Sequence, residues 1–204
     1  GRLDHYLYGL KQLLKRDIAH VLPGHGVPVA VTGKRAVEET YEGVMMKIIE
    51  VPPDGRMTWM EGARLLAEKG LLEEVVYCCD KELILRPENF SALQLKALAL
   101  NDMGRCAEAI ELLDRILIRQ PDDAHALTAK GHALLGLAKH EDSLKYFDRA
   151  LARNPEITEA QSRAILEAAA ELTKAGKDAR PEIMIPVTST AAEVVDQKKI
   201  IDKI

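Results

Sequence analysis

Four prolines stand at a single interval. Pro53, Pro87, Pro121 and Pro155 follow one another 34 residues apart, and an internal period of this size constrains the fold more than any local feature. It marks one supersecondary unit that is repeated and stacked on its neighbours. Around the last three prolines the chain reads "LRPENFSALQLKALALNDMG", "RQPDDAHALTAKGHALLGLA" and "RNPEITEAQSRAILEAAAEL". A proline lacks an N–H and restricts the residue before it, so it ends one helix and is tolerated at the start of the next. Thr58 with Glu61, and Thr158 with Gln161, fit the S/T-x-x-E/Q capping box, and Asp122 or Asp123 does similar work ahead of Ala124.

Between the prolines the apolar residues fall at helical spacing. One unit has Leu93, Ala97 and Leu100, then Ala109, Ile110, Leu113 and Ile116; the next has Leu127, Gly131 and Leu134, then Leu144, Phe147, Ala150 and Leu151. The small residues Ala97 and Gly131 recur one period apart, where the two helices of a pair would cross closely. Aromatic residues are scarce at 4% while Ala and Leu abound, which favours helix over sheet. Hydrophobic residues make up 47% of the chain, enough to bury a core.

This pattern resembles the tetratricopeptide repeat family, whose 34-residue unit is an antiparallel helix pair. Trp59 matches the family's tryptophan position, and Ala109, Gly131, Phe147, Ala150 and the prolines match others. Val75, Cys79 and Glu82 depart from it, standing where small or aromatic residues are usual. The resemblance covers residues 56–176 and implies an all-α fold: an α-solenoid of antiparallel helix pairs, with three repeats and a terminal helix over 158–175. Residues 34–50 keep the same register, with Val37, Tyr41, Val44, Met45, Ile48 and Ile49 on one face. They read as a capping helix, since a terminal repeat cannot bury both its faces, and a linker follows to residue 55. Residues 177–204 read as a linker and a tail helix from Thr190.

The first 33 residues stand outside the period. Leu3, Tyr6, Leu7, Leu10, Leu13 and Leu14 mark an amphipathic helix, and Ile18–Leu22 is a short strand-like run before the turn at Gly24 and Gly26. The stretch "YLYGLKQLLKRDIAHVLPGHG" resembles the C-terminal end of a metallo-β-lactamase-fold hydrolase. The resemblance implies a metal-ligand role for His25 alone. The family's other ligands come from an HxHxDH segment, which this chain lacks. A binuclear site needs several ligands on each ion, so zinc is expected only where a complete hydrolase site is supplied. No cofactor is expected otherwise, and the chain by itself is not expected to be an enzyme.

In the repeat family the first helices line a concave groove. The resemblance implies partner contacts at Arg64, Gln94, Asn101, His125, Thr128 and His132, with Leu98 adding apolar area. His125 and His132 also read as solvated surface histidines. The family's clamp for a terminal carboxylate would fall on Met60, Arg64 and Ala129, which do not supply its Lys and Asn. Cys79 takes a core position of its helix, where a thiol is usually inert.

Two functions remain open. One is a protein–protein interaction scaffold that binds a peptide or partner domain. The other is the C-terminal part of a metallohydrolase, with the repeats used for dimerisation or substrate placement. A net charge of −4 offers no basic stripe for nucleic acid. No apolar run approaches the roughly 20 residues of a membrane span. The adjacent pair among the three cysteines suits a reducing compartment. We therefore expect a cytoplasmic protein with a protein or peptide partner and neither a nucleic-acid nor a membrane one. A homodimer stays open.

Overall fold

A computed structural model describes residues 3–21, 32–50, 57–153 and 159–177, without the side chains of Asp4 and of residues 159–163. All regular structure among the described residues is helical; no strand occurs there. The chain divides into two compact units, Gly1–Gly70 and Leu71–Ile204.

The first unit holds α1 (Leu3–Leu14), α2 (Gly33–Ile48) and α3 (Trp59–Glu68). The apolar stripe of α1 buries Leu7 and Leu10, and α2, which packs on α1, buries Val37, Tyr41, Val44 and Met45. Each such side chain contributes about 1.5–3 kcal/mol by leaving water. The helix expected over 34–50 thus has its pair partner in α1, and this pair spans the boundary drawn at residue 33. The strand-like run at Ile18 takes another role. Val21 makes one isolated bridge, and the carbonyls of Ile18 and Ala19 accept from the backbone N–H groups of Lys34 and Gly33 at 2.9 and 3.1 Å. Those bonds satisfy N–H groups that a helix start leaves orphaned, which matters because Thr32 caps α2 with no side-chain bond. The capping box at α3 forms as expected: Thr58 Oγ1 accepts from Glu61 N–H at 3.2 Å, and Glu61 Oε2 accepts from Thr58 N–H at 2.7 Å.

The second unit holds α4 (Leu72–Leu85), α5 (Phe90–Asp102), α6 (Cys106–Arg119), α7 (Ala124–Gly136), α8 (His140–Arg153) and α9 (Glu159–Lys174). The starts of α4, α6 and α8 lie 34 residues apart, as do those of α5 and α7. Each helix packs on the next, and α7 also touches both α5 and α9. This is a stack of helix pairs. One core cluster joins Leu93, Ala97 and Leu100 to Ala109, Leu113 and Ile116, with Ala126 and Ala129 from the following helix. A second joins Phe147 to Ala164 and Ile165.

The period extends to polar contacts. Asn89 and Asp123 cap α5 and α7 by accepting from Ala92 and Ala126 N–H at 3.3 and 2.9 Å. Arg115 and Arg149 each donate to a loop-proline carbonyl, that of Pro87 at 3.0 Å and that of Pro121 at 3.1 Å. Lys96 pairs with Asp80 at 2.5 Å, and Lys130, its counterpart one repeat on, pairs with Asp114 and donates to the Tyr146 hydroxyl. The turns after α5 and α7 close alike, with Arg105 N–H to Leu100 O at 2.8 Å and Lys139 N–H to Leu134 O at 2.9 Å.

The three departures from the repeat pattern are all buried. Val75 and Cys79 fill space. Glu82 does more: its Oε1 accepts from Arg86 at 2.8 Å and from the Asn89 amide at 2.7 Å. A buried carboxylate is tolerable because donors surround it, and these two come from the loop that joins α4 to α5.

Candidate interaction surface

The helix starts fix which side chains of the second unit can act together. Gln94, Leu98 and Asn101 share one face of α5, and His125, Thr128 and His132 share one face of α7. Because α5 and α7 are in contact, these two rows come from neighbouring helices. Leu98 is 43% exposed, a large apolar side chain left on the surface beside polar ones. His125 is exposed, while Gln94 and Thr128 are half-buried.

Asn101 and His132 carry structural duties. The Asn101 amide donates to the Ala129 carbonyl at 3.0 Å and so ties α5 to α7. Its Oδ1 is buried with no partner among the described residues. The His132 ring stands edge-on to Phe147, with centroids 5.1 Å apart and planes at 75°. Burial pushes the His132 pKa below its ordinary value, and the charges of Glu167 and Asp102 pull against that shift. Those two carboxylates, from α9 and α5, were not legible in the sequence as neighbours of His132, because only the stacking brings them near it. Arg64 is exposed on α3, in the first unit.

His25 lies outside the described residues, as does the tail helix expected from Thr190. Among the described residues no group of three or more His, Cys, Asp or Glu is placed to hold a metal ion. Cys78, Cys79 and Cys106 are all buried. Burial above all, and then the neighbouring Cys78, push the Cys79 thiol up to about 12, so it is a packing residue at neutral pH. No helix among the described residues is long and apolar enough to cross a membrane.

Antiparallel pairs of constant length, capped at the first helix and stacked through the second, define the second unit as a helical-repeat module. The profile of the tetratricopeptide repeat family matches residues 95–156 and again 128–172, so this part of the chain is built of tetratricopeptide repeats. No curated protein matches the chain. Among solved structures, the first TPR domain of human RPAP3 is similar at 20% identity, over 57% of this chain and 91% of that one, with a TM-score of 0.54. The first TPR of Spaghetti (RPAP3), bound to the HSP90 peptide SRMEEVD, is similar at 20% identity, over 60% and 97%, with a TM-score of 0.54. MamA from Desulfovibrio magneticus RS-1 is similar at 17% identity, over 100% and 97%, with a TM-score of 0.56. At these identities the likeness is one of fold.

Proposed function

We propose that the chain is a protein-interaction scaffold whose second unit holds a peptide segment or partner surface against α5 and α7. The observation that carries this is Leu98: a leucine left exposed between Gln94 and Asn101, on a helix in contact with the row from His125 to Thr128. Apolar area of this kind, rimmed by hydrogen-bonding side chains, is the usual make-up of a recognition surface. The Spaghetti domain, alike in fold, is bound to a peptide, which supports the same use here. Arg64, exposed on α3 of the first unit, is proposed separately as a partner contact of that unit.

The test is a pair of exposed substitutions, Leu98→Asp with His125→Asp, in the full chain. Panning a random peptide display library should enrich sequences on the native protein. The variant, with an unchanged far-UV circular dichroism spectrum, should lose them. Equal enrichment on both would sink the proposal.

The elements of the first unit support a second reading, in which residues 1–33 close an upstream hydrolase domain. The one observation in its favour is the order of elements, the helix α1 followed by a short non-helical run over Ile18–His20. In that setting His25 would contribute to a zinc site, and the repeats would serve dimerisation or substrate placement. Zinc content of this 204-residue chain should not depend on His25: a stoichiometric ion lost in His25→Ala would favour this reading.

A further inference from the structure

The most exposed large apolar side chains among the described residues lie at the C-terminal ends of α4 and α6. Ile84 is 75% exposed, Leu85 65% and Ile118 77%. Ile84 and Ile118 hold the same position in successive repeats, 34 residues apart, and neither contributes to a core cluster. Beside Ile118 opens a cavity of about 150 Å³. Phe90 and Leu93 give it apolar lining, and Arg115, Arg119 and Glu88 supply its charges. A cavity of roughly this volume accepts a small hydrocarbon, so one aliphatic side chain fits.

The charges at this site are unbalanced. Arg119 faces Glu88 at 3.5 Å. Arg115 donates only to the Pro87 carbonyl and meets no carboxylate among the described residues. A guanidinium has five N–H donors in a planar fork that suits a carboxylate, and Arg115 is exposed, so the donors beyond the Pro87 bond face solvent, where a carboxylate can reach them. The next repeat shows what the frame alone requires. Arg149 donates to Pro121 O, and Arg153 pairs with Asp122 at 3.0 Å, yet Ala124 and Ala152 stand where Phe90 and Ile118 do. The arginines and their loop bonds therefore belong to the architecture of the stack. Leu93 belongs to the core and recurs as Leu127, but the bulk of Phe90 and Ile118 does not recur, since the next repeat closes with alanine at both positions.

We infer that the pocket between the α4–α5 loop and the end of α6 is a second peptide-binding site, separate from the α5–α7 surface. Its occupant is an acidic–aliphatic segment of a partner protein. A leucine or isoleucine side chain enters between Phe90, Leu93 and Ile118, and an adjacent carboxylate pairs with Arg115. Ile84 and Leu85 extend the apolar contact along the same edge of the repeats.

The experiment titrates the ¹⁵N-labelled full chain with three capped tripeptides: acetyl-Glu-Leu-Glu-amide, acetyl-Lys-Leu-Lys-amide and acetyl-Glu-Ala-Glu-amide. The first should give saturable amide shifts at Phe90, Leu93 and Ile118, with a dissociation constant on the order of 1 mM, as befits one anchor and one ion pair. The other two should bind at least about tenfold more weakly. Arg115→Gln and Ile118→Ser should each reduce the shifts from the first peptide to that level. Saturable shifts confined to Gln94, Leu98 and Thr128 would overturn this site while supporting the α5–α7 surface. No saturable shift, or equal binding of the lysine peptide, would overturn it as well. The comparison of peptides on the native chain decides the matter even where a variant fails to fold.

Discussion

Gly131 lies against the ring of Phe147. A Cβ built on Gly131 would fall 2.6 Å from Cε1 of that ring, closer than packed carbon atoms come. The ring has little freedom to retreat, because Phe147 is 1% exposed and packs on Ala164 and Ile165. Gly131→Ala should therefore destabilise the chain by about 1–3 kcal/mol in urea unfolding, despite the better helix propensity of alanine. Adding Phe147→Leu should recover part of that loss, so the two changes should be non-additive. A variant more stable than the native chain would show that α7 and α8 approach less closely than described.

Ala138 sits in the left-handed region at φ 57°, the place that Gly104 takes at φ 74° one repeat earlier. The side chain of alanine costs about 1–2 kcal/mol in that conformation, and glycine avoids the clash. Ala138→Gly should raise stability by about 1 kcal/mol, seen as a higher urea midpoint at constant slope. Gly104→Ala should lower it by a similar amount. Effects of the same sign in both would exclude backbone strain as the cause.

Glu82 is the buried acceptor for Arg86 and Asn89. Glu82→Ala leaves both donors without their acceptor and opens a gap in the core. A loss of about 2–4 kcal/mol is expected, and amide exchange should quicken at Ala92 and Leu93, where Asn89 caps α5. Unchanged exchange there would show that Glu82 fills space without holding the loop.

His132 makes stability depend on pH. Its folded-state pKa lies below the ordinary value of 6.5 because burial disfavours the charged ring. The unfolded chain then takes up this proton first as pH falls. The contribution of His132 is complete above about 6.5 and declines below it, down to the folded-state pKa, where it levels off. Glu167 and Asp102 narrow that window by favouring the charged form. Unfolding measured at pH 8 and pH 5.5 should show a larger drop for the native chain than for His132→Gln. Equal drops would mean that the ring is solvated.

Much of the helical order was legible because its causes are local. The capping box at Thr58, the cap before α7 and the apolar spacing from Leu93 to Ile116 depend on residues within a turn or two of one another. The partner of α2 was not legible. Leu7 and Leu10 mark an apolar face on α1, but nothing in their spacing says which other face they cover.

The candidate surface divides along the same line. The repeat resemblance named Leu98 and His125 as partner contacts, and both side chains are exposed. Asn101 and His132 share their helix faces by spacing, yet one bonds across to Ala129 and the other stands on Phe147. Lys130 shows the same effect: it pairs with Asp114 and Tyr146 from the helices on either side. The sequence by itself determined the starts of helices such as α3 and α7 and the apolar stripes of the repeats, since capping and helical periodicity act within one segment. Which polar side chains at the margin of that stripe stay free for a partner was decided only by the tertiary structure. That depends on how closely the neighbouring helix packs, set by side chains such as Gly131 and Phe147 that lie far apart in the chain.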